Sequence, residues 1–345
     1  MPEPEISMTA AAPSFAARRV LVTGADGFIG SHLAAVLLRA GAEVTALALY
    51  NAYDSHGWLD ALPDAERAAM RLVRGDVRDP HQMAELCRGQ EIVFHLAALI
   101  AIPYSYAAPA SYVDTNVHGT LNLLEGARRA EVRRFVHTST CEVFGTARVT
   151  PIDEDHPLQP QSPYAASKQA ADAMAVAYHR SFGLPAAILR PFNTYGPRQS
   201  ERALIPAVIR QALDPRCDAI AVGDLAPGRD FNYVDDTVAA FLAVAGMAEN
   251  RLGETFNAGS GRMIGIGEAV ERIRALTGTN KPVRVDPARI RPAASEVMAL
   301  MADAGRLKAA TGWTPAVDLE TGLARTVAWW RGRADGLRGD GHYMV

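Results

Sequence analysis

A glycine-rich turn stands between a short apolar strand and an amphipathic helix near the start of the chain. Residues 18–23 (RRVLVT) predict the strand and residues 24–30 (GADGFIG) form the turn. Residues 31–41 (SHLAAVLLRAG) then carry apolar side chains at helical spacing up to a glycine. A second apolar run begins at Val44, so the chain opens with a β-α-β unit. Such a unit requires parallel strands joined by a right-handed crossover.

The same alternation of strands and helices continues beyond this unit. Further strands are predicted at RLVRGDV, EIVFHLAA, RFVHTST and AAILRPFN, with helical stretches such as TLNLLEGARRA between them. The pattern predicts an α/β fold: a Rossmann-type doubly wound parallel sheet with a smaller mixed α/β lobe for substrate. We expect a disordered tail at 1–17, the sheet domain at 18–192 with a return of the chain around 230–262, the substrate lobe mainly at 193–335, and a loose end at 336–345.

Composition narrows the class of partner and the cellular compartment. With 35 basic and 38 acidic residues the net charge is −3, which argues against nucleic acid or an anionic membrane as a partner. Three widely spaced cysteines indicate neither a disulfide framework nor a zinc site. Glu3 and Glu5 stand where a signal peptide needs positive charge, and no apolar run reaches about 18 residues. A cytoplasmic protein without a membrane span is therefore expected.

The glycine-rich turn predicts a dinucleotide site. Gly24, Gly27 and Gly30 let the backbone turn tightly and approach a pyrophosphate, whose charge then meets the amides at the start of the helix. The carboxylate usual at the end of the second strand is missing, since Ala48 stands there, and no nearby Arg or Lys marks a 2′-phosphate site. We therefore expect NAD, with NADP left open. Asp76 is either a contact to the adenine or a loop-capping residue.

A tyrosine and a lysine supply the candidate catalytic pair. Tyr164 and Lys168 are four residues apart on a predicted helix and so share one face. An ammonium group beside a phenol lowers the phenol's pKa, which a base for alcohol oxidation requires. The helix follows STCEVFG, which ends another predicted strand, so both segments should face the crevice at the carboxyl edge of the sheet.

These motifs, taken in order, resemble those of a known enzyme family. TGADGFIG, HLAA, NVHGT, TSTCEVFG, SPYAASK, RPFNTYGPRQ and RDFNYVDD are similar to the extended short-chain dehydrogenases/reductases that act on nucleotide sugars. Within that family, LYNAYDSHGWLD, AALIAIPYSY and RIRPAASEV resemble the NAD-dependent 4,6-dehydratases of legionaminic-acid-type pathways. Those enzymes act on nucleotide-linked N-acetylglucosamine.

The resemblance implies a mechanism and a set of contacts. Tyr164 would take the proton of the sugar C4 hydroxyl as hydride passes to NAD, with Thr140 and Lys168 assisting, and Glu142 would then remove the C5 proton. Water leaves from C6, and return of the hydride to C6 gives a 4-keto-6-deoxy sugar. The cofactor contacts implied are Gly24, Asp26, Gly27, Phe28, Ile29, Gly30, Asp76, Val77, Leu96, Ala97, Ala98, Tyr164 and Lys168.

Cys141 departs from the Asp or Ser common at this position in such dehydratases. Its thiol either protonates the departing water or merely fills space, with Glu142 then making both proton transfers. The Thr-Cys-Glu sequence also resembles the tunicamycin-pathway enzyme, in which hydride returns to C4 and a 5,6-ene results.

The resemblance also implies which residues hold the substrate. Asn193 would contact the diphosphate or sugar, and Arg229 and Arg291 the diphosphate or nucleotide ribose, with Arg289 as the alternative to Arg291. The resemblance implies UDP- or GDP-N-acetylglucosamine as substrate, UDP being favoured, and a homodimer.

Several alternatives and minor interpretations stay open. Besides 4,6-dehydration these are 5,6-dehydration, 4-epimerisation, and a non-catalytic dinucleotide-sensing protein. His95 and His137 lie in apolar strands and are assigned no role. The tryptophans at 313, 329 and 330 are interpreted as packing residues or part of a dimer seam.

Overall fold

The computed structural model describes residues 15–333. Its strands are β1 (Arg19–Thr23), β2 (Glu43–Leu49), β3 (Arg71–Gly75), β4 (Ile92–His95), β5 (Arg134–Thr138), β6 (Ala186–Pro191), β7 (Thr194–Tyr195), β8 (Ile220–Val222), β9 (Gly228–Asp230), β10 (Asn232–Tyr233), β11 (Thr255–Ala258), β12 (Met263–Gly265) and β13 (Val283–Val285). Its α-helices are α1 (Phe28–Arg39), α2 (Asp64–Ala68), α3 (Pro80–Cys87), α4 (Ile102–Ala107), α5 (Pro109–Tyr112), α6 (Gly119–Arg129), α7 (Pro163–Phe182), α8 (Leu204–Leu213), α9 (Val234–Gly246), α10 (Ile266–Thr277), α11 (Gly305–Thr311) and α12 (Leu319–Arg331).

Shorter helical turns complete the description. Single 3₁₀ turns lie at Gly57–Ala61, Cys141–Phe144, Glu249–Arg251, Pro287–Arg289 and Ala293–Ser295, and a π-helical turn at Val113–His118 joins α5 to α6.

The central element is a seven-stranded parallel sheet in the order β11-β6-β5-β4-β1-β2-β3. The predicted Rossmann-type fold is therefore confirmed. Alternate residues of each strand pack into two separate cores, one on each face: Val20 and Phe94 belong to the first, Leu21 and Val93 to the second. Because helices cover both faces, the central strands carry apolar side chains on both of their faces.

The later part of the chain contributes both to the sheet and to a second lobe. β11 lies beside β6 in the main sheet, within the segment expected to return there. Small two-stranded pairs, β10 with β7, β12 with β9 and β13 with β8, build the remainder. The lobe lies beside the carboxyl ends of the strands, where a ligand site is expected.

The sequence predicts a disordered tail at 1–17 and a loose end at 336–345. Residues 1–14 and 334–345 lie outside the described residues, so most of the predicted tail and all of the predicted loose end cannot be compared. The tail boundary at residue 17 is too late, however: Phe15 is only 2% exposed in the main core, and Ala17 N donates to Gly41 O at 2.8 Å.

Local sequence fixes the helix that carries the candidate catalytic pair. Ser162 Oγ caps α7 by accepting from Ala165 N at 3.1 Å, and Pro163 occupies the first turn, where its missing N–H costs nothing. Gly183 ends the helix in the left-handed conformation, with φ of 68°. Among the described residues, no helix has the length and apolar character needed to cross a bilayer.

Candidate active site

A cleft of about 1030 Å³ opens at the carboxyl ends of the sheet strands. This volume is at the upper end of the range for small-molecule sites. The structure brings all the predicted cofactor and catalytic residues to this cleft, together with Asn193: Gly24, Asp26, Gly27, Phe28, Ile29, Gly30, Asp76, Val77, Leu96, Ala97, Ala98, Thr140, Cys141, Glu142, Tyr164 and Lys168. Their individual roles stay predictions.

The glycine-rich turn is closed against neighbouring backbone. A Cβ on Gly24, whose φ is 67°, would lie 2.8 Å from Ala97 N, and one on Gly30 would lie 2.1 Å from Gly24 O. Only glycine fits at these two positions. The turn leads directly into α1, whose first turn contains no acidic residue. This cradle fits the pyrophosphate of a dinucleotide.

Asp26 lies beside the end of β2, where the sequence lacks the usual carboxylate. Its Oδ2 accepts from Leu49 N at 3.2 Å, so the turn itself places a carboxylate at the end of that strand. Burial raises the pKa of this carboxyl group, and the hydrogen bond from Leu49 N opposes part of that rise. Sequence reasoning assigned Asp26 to the turn, but it did not foresee this contact.

Asp76 is already engaged by a neighbour. Its carboxylate accepts from Arg78 Nε at 2.9 Å, and this pairing lowers its pKa. Any contact to an adenine would therefore be made by an ion pair, because Arg78 also lines the cleft.

The short turn after β5 presents three predicted catalytic side chains together. Thr140 begins a single 3₁₀ turn, and its Oγ1 accepts from Glu142 N at 3.3 Å. Ser139 N is held by Leu189 O of β6 at 2.7 Å, so the segment is anchored to the sheet. Thr140, Cys141 and Glu142 are thereby fixed at one edge of the cleft.

Tyr164 lies in the first turn of α7, opposite that segment. It is 8% exposed and packs edge-on against Tyr112 with ring centroids 6.2 Å apart. Burial raises its pKa, a hydrogen bond with Thr140 is the largest lowering influence, and the charge of Glu142 raises it further. The net direction is therefore opposite to the lowering by Lys168 that the sequence predicted, because burial withdraws the phenolate from water.

Lys168 lies one turn further along α7 and is 3% exposed. Burial lowers its pKa to about 8, and the Asp172 carboxylate acts in the opposite direction. Asp172 is itself buried and accepts from Ser139 Oγ at 2.7 Å and from Arg190 Nη2 at 3.0 Å. His137 Nε2 lies 3.3 Å from its other oxygen. The catalytic pair therefore rests on a buried charged network.

Asn116 supports the cleft wall from behind, a role that sequence reasoning did not predict. Its side chain bonds Leu99 N and O at 2.8 and 2.9 Å and Ser167 Oγ at 2.9 Å, joining the cleft wall to α7. It lies in the π-helical turn, a distortion often found at functional sites. The NVHGT motif was the available signal.

Cys141 faces two environments. The side chain belongs to a small apolar core with Phe144, Ile152, Phe192 and Leu300, yet it also lines the cleft. Burial raises the pKa of the thiol, which therefore stays protonated. Both interpretations of Cys141 remain compatible with this position.

Two of the three predicted substrate residues lie away from the cleft wall. Arg229 Nη2 is 2.9 Å and Arg291 Nη1 3.7 Å from Glu296 Oε1, and neither arginine lines the cleft. Arg289 is bound by Asp286 at 3.1 Å. The cations that line the cleft are Arg78, Lys168, Arg198, Arg202 and Arg333, and of these Arg198 and Arg202 lie in the same segment as Asn193. The sequence placed Arg198 in the RPFNTYGPRQ motif but assigned it no role.

Comparison with known proteins agrees with this geometry. The family model described as GDP-mannose 4,6 dehydratase matches residues 21–326. The chain belongs to this family. It is thus an extended short-chain dehydrogenase/reductase of the nucleotide-sugar dehydratase and epimerase group, and an enzyme.

Curated relatives include both types of enzyme. A dTDP-glucose 4,6-dehydratase of Streptomyces griseus is 37% identical over 315 residues, covering 90% of this chain and 93% of the relative. A UDP-glucose 4-epimerase of Mycolicibacterium smegmatis is 35% identical over 321 residues, covering 92% and 99%.

Solved structures divide in the same way. A dTDP-glucose 4,6-dehydratase from Streptomyces venezuelae, with NAD bound, is 34% identical with a TM-score of 0.81, covering 93% of this chain and 100% of that one. A UDP-glucose 4-epimerase from Thermotoga maritima, with UDP-glucose, is 30% identical with a TM-score of 0.82, covering 91% and 99%. These relatives and structures do not distinguish the legionaminic-acid-type dehydratases from other members of the family.

Proposed function

We propose that the protein is a nucleotide-sugar 4,6-dehydratase that converts UDP- or GDP-N-acetylglucosamine, UDP being favoured, to the 4-keto-6-deoxy sugar with NAD as a recycled cofactor. The observation that carries this proposal is the position of Glu142: its carboxylate shares one cleft with Thr140 and Tyr164 and acts electrostatically on Tyr164. An acid at this place supplies the base that dehydration needs and epimerisation does not.

The cofactor would lie along the glycine-rich turn. Gly24, Gly27 and Gly30 with the start of α1 would receive its pyrophosphate, and Lys168 would hold the nicotinamide ribose. When bound, NAD supplies an acceptor for hydride from C4 and later returns that hydride to C6.

The protein's own groups would move the protons. Tyr164 takes the C4 hydroxyl proton while Thr140 hydrogen-bonds the same oxygen, and the Lys168 ammonium would stabilise the phenolate that this step needs against the burial that raises its pKa. The resulting ketone acidifies the C5 proton, which Glu142 removes. The C6 hydroxyl then leaves as water after accepting a proton from Cys141 or from Glu142, and a proton returns to C5 as hydride reaches C6.

Two segments support an N-acetylhexosamine as substrate. Residues 97–106 line the cleft with Leu99, Ile100 and Tyr104, which offer apolar surface to an acetyl methyl group. Residues 289–297 lie against the same wall: Ser295 Oγ bonds Tyr106 OH at 2.5 Å and Gln161 O at 2.7 Å. Both segments carry the resemblance to the legionaminic-type enzymes.

A 4-epimerase is the second candidate, because epimerases occur among the relatives at similar identity. The 5,6-dehydratase remains a third, on the Thr-Cys-Glu sequence alone. We also expect a homodimer, which native mass spectrometry would test.

Turnover in heavy water separates these functions. The purified protein is incubated with UDP- and GDP-N-acetylglucosamine and followed by mass spectrometry and NMR. Loss of one water with a C4 ketone, deuterium at C5 and a new C6 methyl supports 4,6-dehydration. Unchanged mass with inverted C4 would establish epimerisation, an exocyclic alkene the 5,6 route, and no turnover of either substrate would contradict the proposal.

A further inference from the structure

Three tryptophans and an arginine from two distant segments line one end of the cleft. The ring centroids of Trp58 and Trp329 are 5.6 Å apart, and those of Trp329 and Trp330 are 5.2 Å apart, each pair edge to face. The guanidinium carbon of Arg333 lies 4.6 Å from the Trp329 centroid and 5.1 Å from that of Trp58. We call these four residues the aromatic clasp.

The clasp is attached directly to the glycine-rich turn. Trp58 N donates to Asp26 O at 3.0 Å. Gly57, with φ of 59°, lies so near that a Cβ there would be 2.5 Å from the same oxygen. Trp58 is therefore fixed on the turn, whereas Trp329 and Trp330 come from the last turn of α12. The clasp joins the end of the described chain to the cradle at its beginning.

One member of the clasp has an unused donor. Trp330 is 5% exposed, and its indole N–H has no hydrogen-bond partner within residues 15–333. A buried donor without an acceptor is unfavourable, and a phosphate oxygen is the kind of acceptor that would satisfy it.

The guanidinium group of Arg333 is positioned by two aromatic rings, those of Trp58 and Trp329. Cation–π contacts with Trp58 and Trp329 restrict the guanidinium at the cleft wall that also contains Gly24 to Gly30. A guanidinium restricted in this way is well suited to phosphate oxygens, since less conformational freedom is lost when the contact forms.

We propose that the aromatic clasp closes over the dinucleotide and that Arg333 binds its pyrophosphate, so that the cofactor is retained between turnovers. The inference rests on the NAD binding of the proposed function. It holds equally for a dehydratase and an epimerase, because both return the hydride to the sugar and need no exchange of cofactor. The tryptophans assigned to packing at positions 329 and 330 would then serve the cofactor site.

Cofactor release tests the clasp without reference to turnover. Full-length protein is loaded with NADH, and release into excess NAD is followed by the loss of energy transfer from tryptophan to NADH. Arg333→Met should release NADH about tenfold faster, because one charge-assisted phosphate contact is lost. Arg331→Met is the matched control: it removes the same charge two residues earlier in the chain, at the end of α12, but Arg331 donates to Leu276 O at 3.0 Å and does not line the cleft.

Salt and a second variant make the test specific. Release from the unmodified protein should accelerate with ionic strength more than release from the Arg333→Met protein. Trp58→Leu should also speed release of NADH. The double variant should release NADH little faster than either single variant, because Trp58 and Arg333 contact each other and each substitution disrupts the same clasp. Equal release from the Arg331→Met and Arg333→Met proteins would overturn the clasp. Failure of the unmodified protein to bind any NADH would instead overturn the proposed function along with it.

Discussion

Asp172 accepts hydrogen bonds from both Nε and Nη2 of Arg190, at 3.2 and 3.0 Å, one helical turn beyond Lys168. Burial alone would raise the pKa of Asp172, but His137, Arg190 and Ser139 together hold it below its usual value. The carboxylate is therefore ionised, and its charge opposes the lowering of the Lys168 pKa by burial. The ammonium form of Lys168 depends on this neighbour.

Asp172→Asn should shift the alkaline limb of the pH–kcat profile to lower pH. With the negative charge gone, the pKa of Lys168 falls below about 8, and the ammonium is lost at a lower pH than in the unmodified protein. The profile is measured with thermal unfolding of the same samples, since Arg190 loses its partner. Asp218→Asn, at an exposed position, is the control. An unmoved alkaline limb in a folded Asp172→Asn protein would exclude this role.

Lys168→Met should stabilise the protein at neutral pH while abolishing activity. The folded-state pKa of about 8 lies below the unfolded value of 10.5, so the folded protein binds fewer protons between these values. The destabilisation by Lys168 is complete below pH 8, at up to roughly 3 kcal/mol, and it disappears as pH rises to the unfolded pKa. Urea unfolding at pH 7 and pH 10 measures this. If the gain in stability of the Lys168→Met protein is as large at pH 10 as at pH 7, the lowered pKa of Lys168 in the folded protein is wrong.

The turn and the catalytic helix could be predicted because their signals are local. Gly24 and Gly30 are required by contacts within a β-α-β unit, and the spacing of Tyr164 and Lys168 is a property of one helix. The cleft at the strand ends then follows from the parallel sheet itself.

The missed features depend on contacts between distant segments. Glu296 meets Arg229 across 67 residues of sequence, and Trp58 meets Trp329 only because α12 packs near the glycine-rich turn. No local sequence pattern at these residues indicates which distant residue each one contacts. The pKa of Tyr164 was predicted in the wrong direction for the same reason, since the burial of a side chain is set by the whole fold.

Glu142→Gln should stop elimination but leave the first oxidation intact. The amide cannot take the C5 proton, so water loss should fall by about 10²–10⁴-fold. Trapping with borodeuteride should then find label at C4 of a sugar that still carries its C6 hydroxyl. Asp153→Asn, an exposed carboxylate outside the cleft, serves as the control. Normal water loss by the Glu142→Gln protein would remove the observation on which the dehydratase proposal rests.

Cys141→Ser and Cys141→Ala distinguish the two roles of this thiol. If it protonates the departing water, both variants should slow elimination, because a serine hydroxyl is a far weaker acid and alanine has no proton to give. If it only fills the apolar core with Phe144 and Phe192, turnover should persist and the change should be in thermal stability. Product formation and melting temperature, measured on the same preparations, decide between them.

Glu296→Gln should strengthen binding of UDP. Glu296 Oε1 lies 2.9 Å from Arg229 Nη2 and 3.7 Å from Arg291 Nη1, so its charge competes with a diphosphate for both guanidinium groups. Removing that charge leaves the arginines available, and the dissociation constant should fall by about threefold to tenfold.

Isothermal titration with UDP measures this dissociation constant. Glu268→Gln, which releases the exposed Arg272, is the matched control. Arg229→Met should weaken binding in either background. Unchanged affinity in both the Glu296→Gln and the Arg229→Met proteins would place the diphosphate elsewhere, with Arg198 and Arg202, two of the cations that line the cleft, as the next candidates.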